Sequence, residues 1–243
     1  LLSPAFTSFT VAQCVPAPDS AVGWWPGNGN GNDFINGNNG SLINGVTFAN
    51  GKVEQAFSFN QLNQQYVDLG GAASQLLNNS EGSITAWVNQ APVAVEQFHM
   101  VTAFGSGGPG GAVGFGIDNG NVRVYHHTES FDWQTGVPVT VSTWTFITYT
   151  WDETTERLYK NGALAATRPR NFDYAPGYSR VGFGFINDPS VFFSGQIDEV
   201  AQTLLCDQKL RDAVRARGDD PEKLVDLYID LINRVVRERP PGM

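Results

Sequence analysis

Four groups of residues have side chains that could do chemistry, and their spacing limits what each can do. The first is Gln196-Ile197-Asp198-Glu199-Val200, two adjacent acids in a stretch of strand-like composition. Side chains on a strand alternate between faces, so Gln196, Asp198 and Val200 should share one face and Ile197 and Glu199 the other. Hydrolysis of a glycosidic bond needs two carboxyl groups about 5–5.5 Å apart for retention, or farther apart for inversion. One carboxylate per face does not supply that pair, so glycoside hydrolysis ranks third, behind a binding and a structural reading. The second group is the three histidines. His126 and His127 are adjacent and should point to opposite faces, so they do not readily chelate one metal, and His99 lies between Phe98 and Met100. Packing or surface roles are expected for all three. Gly105 to Gly116 is glycine-rich, but no lysine or helix start follows to hold a phosphate, and the stretch reads as a mobile loop.

The third group is rich in oxygen. The loop from Gly27 to Gly45 supplies Asn28, Asn30, Asn32 and Asp33 together with many backbone carbonyls. Hard cations such as calcium take oxygen ligands of this kind. The same composition also suits a tight loop whose asparagines adopt left-handed turns, and Asp33 is its single carboxylate. The fourth group is aromatic. Sugar binding needs an aromatic platform with polar groups beside it. Trp133, in the polar stretch from Thr128 to Gln134, is expected to be more exposed than Trp87 or Trp151. Tyr125, His127, Asp132, Asn187, Tyr174 and Tyr178 could join it. A packed, incidental tryptophan is the competing reading.

These groups must be positioned by short strands. Of 243 residues 27 are glycine and only 16% are charged, a profile unlike a coiled coil, a disordered tail or a helical bundle. Period-2 alternation runs through Ser83–Val88 and Phe146–Trp151, and further strands are expected at 56–59, 66–69, 114–117, 121–125 and 157–160. Asp118-Asn119-Gly120 and Lys160-Asn161-Gly162 carry the positive-φ residues that hairpin turns require. No helical segment separates these strands, so the expected fold is all-β, an antiparallel jelly-roll sandwich. The formal charge of −9 argues against a nucleic-acid or anionic-membrane partner. No apolar run reaches the roughly 18 residues a membrane-spanning helix needs.

The composition then changes. Residues 206–243 hold 8 of the 15 basic and 8 of the 24 acidic residues, whereas all six tryptophans and all sixteen phenylalanines precede them. Asp207 can cap a helix that stops at Gly218. Asp220-Pro221-Glu222 opens a second, with Leu224, Leu227, Leu231 and Val235 at helical spacing. Two C-terminal α-helices are expected, foreign to the sandwich.

Both pieces resemble known families. From about residue 19 to 200 the chain resembles the laminin G-like, concanavalin A-like jelly-roll domains of secreted bacterial proteins. The matching stretches are Ala21–Gly27, the Asn/Gly-rich loop to Leu42, Gly51–Phe59, Ile84–Val88, Trp144 to Asp152, Arg157–Gly162 and Gly195–Val200. The resemblance implies a structural calcium between the early loop and the late strand, with Asn28, Asp33 and Asp198 as ligands. The segment from about 196 to 243 is similar to a fragment of cobalamin-independent methionine synthase-like proteins. That implies a chimera, and it stops short of the region that would hold that family's zinc. Residues 1–18 read as a signal-peptide remnant or a linker, and Cys14 and Cys206 flank the sandwich, so a disulfide between them is open. The sequons at Asn39 and Asn78 matter only in a glycosylating host. The expectation is a secreted, extracellular bacterial module without catalysis that binds a glycan or another surface component through Trp133, Tyr125, His127, Asp132, Asn187 and Tyr178. The alternative is a structural or adhesive spacer.

Overall fold

The computed structural model describes residues 21–92, 98–184 and 191–203. Asn187, Cys14, Cys206, the N-terminal stretch and the two expected C-terminal helices lie outside the described residues. Among the described residues fifteen strands form two antiparallel sheets packed face to face. One sheet runs β13(Ala163–Pro169), β12(Thr155–Lys160), β11(Thr145–Trp151), β6(Gly82–Gln90), β15(Gly195–Thr203), β4(Gln55–Phe59) and β3(Thr47–Asn50), with β1(Ala21–Trp25) also pairing with β15. The other runs β10(Trp133–Pro138), β9(Asn121–Tyr125), β8(Ala112–Asp118), β7(His99–Gly105), β14(Tyr178–Val181), β5(Tyr66–Asp68) and β2(Ser41–Ile43). This is the jelly-roll sandwich expected from the strand pattern.

The alternation of side chains builds the core. Ile84, Ala86 and Val88 of β6, Ile147, Tyr149 and Trp151 of β11, and Val113, Phe115 and Ile117 of β8 all face inward and join one cluster with Trp25, Phe57, Phe104 and Phe193. The hairpin turns form as their residue types require: Asn119 and Gly120 have φ of 48° and 73°, and Asn161 and Gly162 have 50° and 89°.

Two local expectations fail. Ala112 to Gly116 is not a mobile loop but the buried first part of β8, because its glycines serve close strand packing. A Cβ at Gly114 would collide with the Thr102 carbonyl, and one at Gly116 would sit 2.7 Å from the Phe98 ring. In β15 strict alternation breaks. Its register with β6 shifts between Asp198 and Ala201, and Glu199 takes φ 54°, so Ile197 and Val200 both reach the core. Asp198, opposite Trp87, and the bulged Glu199, which accepts from Trp24 Nε1, both lie on the outer side of the sheet. They are not on opposite faces.

Candidate functional site

At one end of the seven-stranded sheet three loops meet: 106–111 after β7, 126–132 after β9, and 170–177 before β14. Backbone hydrogen bonds lace them together. Gly110 N donates to the His126 carbonyl at 2.9 Å, Asp173 N to the Gly110 carbonyl at 3.1 Å, and Ala175 N to the Gly111 carbonyl at 3.2 Å. Glycine permits this approach, since Gly110 has φ 71° and lies against the Phe131 ring. The loops are therefore held by ordered backbone rather than by length.

Beneath them is a buried charged anchor that sequence reading missed. His126 is fully buried, with Nδ1 2.8 Å from the Ala112 carbonyl and Nε2 2.9 Å from Glu156 Oε2, while its ring stacks on Phe172 at 4.4 Å. Glu156 also accepts from Tyr149 Oη at 3.0 Å, from Arg168 Nε and Nη2 at 3.1 Å each, and from Asn171 N at 2.9 Å. Burial works to raise the Glu156 carboxyl, but the hydrogen bonds and charges of His126 and Arg168 outweigh it and hold it below its usual value. Arg168 continues outward, donating to the Phe131 and Asp132 carbonyls and lying 5.3 Å over the Trp133 ring. The anchor thus fixes the 126–132 loop. Alternating acid and base in Glu156-Arg157 and in Arg168 on neighbouring strands was the available signal, but pairing register had to be known to read it.

The predicted ligand-binding residues separate into distinct places. Trp133 opens β10 on its core-facing side, half-buried against the main core with Arg168 over its ring, so it is not the exposed platform expected. Asp132 is a structural carboxylate. It accepts from Arg123 at 2.7 and 3.0 Å and from His126 N at 2.6 Å, and burial pushes its carboxyl up. Tyr125 is 1% exposed and belongs to a small outer cluster with Phe98, Met100, Ala103 and Ala112. Its hydroxyl lies 3.0 Å from His127 Nδ1, so it positions that ring from below. Tyr174 is buried and donates to the Ser74 carbonyl.

His127 and Tyr178 remain, and the structure brings them together. A Cβ at Gly107 would stand 3.6 Å from the Tyr178 hydroxyl and 3.7 Å from His127 Cε1. Both residues are partly buried, and burial raises the Tyr178 phenol to about 12. His127 has φ 77°, a left-handed conformation that costs a non-glycine residue of order 1–3 kcal/mol. His127 lies beside Tyr125 and near Tyr178, on the side opposite the buried His126, as strand alternation requires. Such strain tends to be kept where a side chain is needed at a site.

The chain matches the family model "Concanavalin A-like lectin/glucanases superfamily" (Laminin_G_3) over residues 60–202. It belongs to that superfamily. Domain 4 of the extracellular arabinanase AbnA from Geobacillus stearothermophilus, solved with arabinotriose, superposes with a TM-score of 0.61 at 20% identity, over 76% of this chain and 92% of that one. A botulinum neurotoxin type C structure, described by dependence of cell entry on two ganglioside molecules, gives 0.60 at 14% identity, over 88% and 51%. Trypanosoma rangeli sialidase gives 0.59 at 14% identity, over 88% and 33%, so this chain spans about half and a third of those two chains. At these identities the likeness is one of fold, and the neighbours include an enzyme as well as binding domains. No curated protein matches in sequence. The family match ends at residue 202, within the first residues of the 196–243 segment, whose likeness to methionine synthase-like proteins stays an expectation.

The three expected calcium ligands also part company. Asp33 accepts from the backbone N–H groups of Trp24, Ile35, Asn36 and Asn38 and from Asn38 Nδ2, at 2.9–3.3 Å. Oxygens so surrounded by donors present the wrong polarity to a cation, and Asp33 serves as the organiser of its loop. Asn28 is spent on Gln55 N at 3.0 Å and Glu54 Oε2 at 2.7 Å. Asp198 differs. Its Oδ2 accepts from Val53 N at 2.9 Å, while Oδ1 is buried without a hydrogen-bond partner. Burial, with the Glu54 charge adding, raises its carboxyl to about 7 against the N–H groups of Val53, Lys52 and Glu199. Among the described residues no three His, Cys, Asp or Glu side chains group as a metal site.

Proposed function

We propose that this chain is a secreted, non-catalytic module that binds carbohydrate at the loop-rimmed end of the seven-stranded sheet. The observation that carries the reading is the strained, outward His127, braced by Tyr125 and facing Tyr178 across Gly107. An imidazole and a phenol offer hydrogen bonds and ring faces to a sugar, and the side-chain-free Gly107 beside both leaves them uncovered on that side. The arabinotriose-bound and ganglioside-dependent neighbours support a glycan as ligand. Asp198 and Glu199, the acids a hydrolytic reading would need, are both buried beneath the other sheet's outer surface, at 0% and 1% exposure. No helix among the described residues is long and apolar enough to cross a membrane.

A structural calcium remains part of the proposal, reduced to Asp198 with Glu54 beside it. Its role would be to neutralise a buried carboxylate and to tie β15 to the β3–β4 turn.

The test is a glycan and polysaccharide binding screen on the full chain, run with calcium and with chelator. Saturable binding that is lost in His127→Asn and Tyr178→Ala, with melting temperature kept, supports the reading. Binding untouched by both substitutions overturns the site. Silence toward every glycan, with the protein folded, would favour the structural spacer.

A further inference from the structure

The chain has far more acids than bases, and most described arginines are held by carboxylates. Arg123 pairs with Asp118 and Asp132, Arg157 with Asp152, and Arg168 with Glu156. Arg180 is an exception. On the outer face of β14, two residues from Tyr178, it donates Nη1 to the Gly184 carbonyl at 2.9 Å and pairs with no carboxylate among the described residues. Its guanidinium stands 4.7 Å from the Tyr178 ring centroid, 5.2 Å from Tyr66 and 5.1 Å from Phe183. Its Nε is buried without a partner. Asp68 lies directly opposite in the β14–β5 register, yet it is turned to Gly70 N, to which it accepts at 2.9 Å.

We infer that Arg180 makes this face selective for sugars bearing a carboxylate. The inference rests on the reading of His127 and Tyr178 as a glycan site and names the class of glycan. Aromatic rings hold the guanidinium by their faces and fix its plane without neutralising it, and with Nε buried and Nη1 donating to Gly184, the Nη1–Nη2 end is the fork left beside the ring that faces the sugar. A planar carboxylate is the group whose geometry matches such a fork. The net charge of −9 does not oppose this, because at 0.1 M salt charges more than about 10 Å away are largely screened.

The experiment titrates the full chain with oligosaccharides in matched pairs, each uronate- or sialate-bearing sugar beside its own methyl ester, with sulfated oligosaccharides of equal charge as a third arm. A charge-assisted hydrogen bond predicts that at least one acid binds roughly tenfold or more tighter than its ester, with a preference that shrinks as salt rises. Arg180→Gln should erase that preference while leaving ester binding unchanged, and Arg180→Lys, which keeps charge without the fork, should reduce it and serves as the probe if the glutamine variant fails to fold. Equal binding of acid and ester, or a preference that survives Arg180→Gln, overturns the inference and leaves the glycan site standing. Equal affinity for sulfated sugars overturns the assignment of a carboxylate. No binding to any member of the panel overturns both this inference and the proposed function.

Discussion

Asp198→Asn is the most direct probe of the buried acid in β15. The carboxyl is raised from 3.8 to about 7 by a fully buried setting. The folded chain therefore holds a proton that the unfolded chain has released between about pH 4 and 7. With more protons bound to the folded state, stability falls as pH rises through that window, and the whole cost is present above pH 7. A shift of about 3 units corresponds to roughly 4 kcal/mol as an upper bound, at 1.36 kcal/mol per unit. For a domain of this size that is of order 10 °C in melting temperature. Asparagine keeps an oxygen for Val53 N and carries no charge. In chelator, then, wild type should lose melting temperature from pH 5.5 to 8 while Asp198→Asn stays nearly level and overtakes it. Added calcium should raise wild type at pH 8 and leave the variant unmoved, because only the carboxylate draws the ion. A wild-type profile that is level in chelator across this range would refute the reasoning about the buried acid. A calcium response equal in both proteins would refute Asp198 as the ligand.

Three further outcomes are expected. His127→Asn should keep melting temperature within about 2 °C, since asparagine tolerates positive φ, while glycan binding falls at least tenfold; retained binding in a titration would remove His127 from the site. Glu156→Gln should cost about 3–5 kcal/mol in denaturant unfolding, because it leaves Arg168 and His126 without their carboxylate in a buried setting, and a cost under 1 kcal/mol would show the network to be dispensable. Gly182→Ala should cost at least about 2 kcal/mol, since φ is 83° and a Cβ would lie 2.8 Å from Phe59 Cε1, and calorimetry showing no loss would mean the turn can be rebuilt.

The sandwich was legible because its information is local. Alternation in Ser83–Val88 and Phe146–Trp151 and the two Asn-Gly turns give strands and hairpins from neighbours a few residues apart. The site was only partly legible. His127 and Tyr178 entered the proposed site by residue type alone, but nothing in the sequence shows that Gly107 lies close to both. Trp133 misled because the side chains of its polar neighbours, Asp132 and Gln134, turn to Arg123 and Asp118 and say nothing of what lies over its ring. Arg168, from a strand three places along in the chain, covers it. The alternation rule failed at Asp198 and Glu199 because one left-handed residue in a bulge resets the period. His126 and Glu156 form an anchor from pairings 30 residues apart, which composition cannot report.

The place of β15 has a consequence for how this chain comes to be made. It is the last of the described strands, yet it fills the middle of its sheet, between β6 and β4. Gln90 of β6 pairs with Gly195, so the flank of β6 stays open while the roughly 105 residues between them are translated. At 5–20 residues per second that is about 5–20 s. During this time Gly82–Gln90, nine residues without a single charge, offers an uncovered strand edge of the kind that recruits other chains. A nascent chain stalled before Gly195 should therefore be a client for chaperones, and overexpression should be limited by synthesis rate more than by the stability of the finished sandwich.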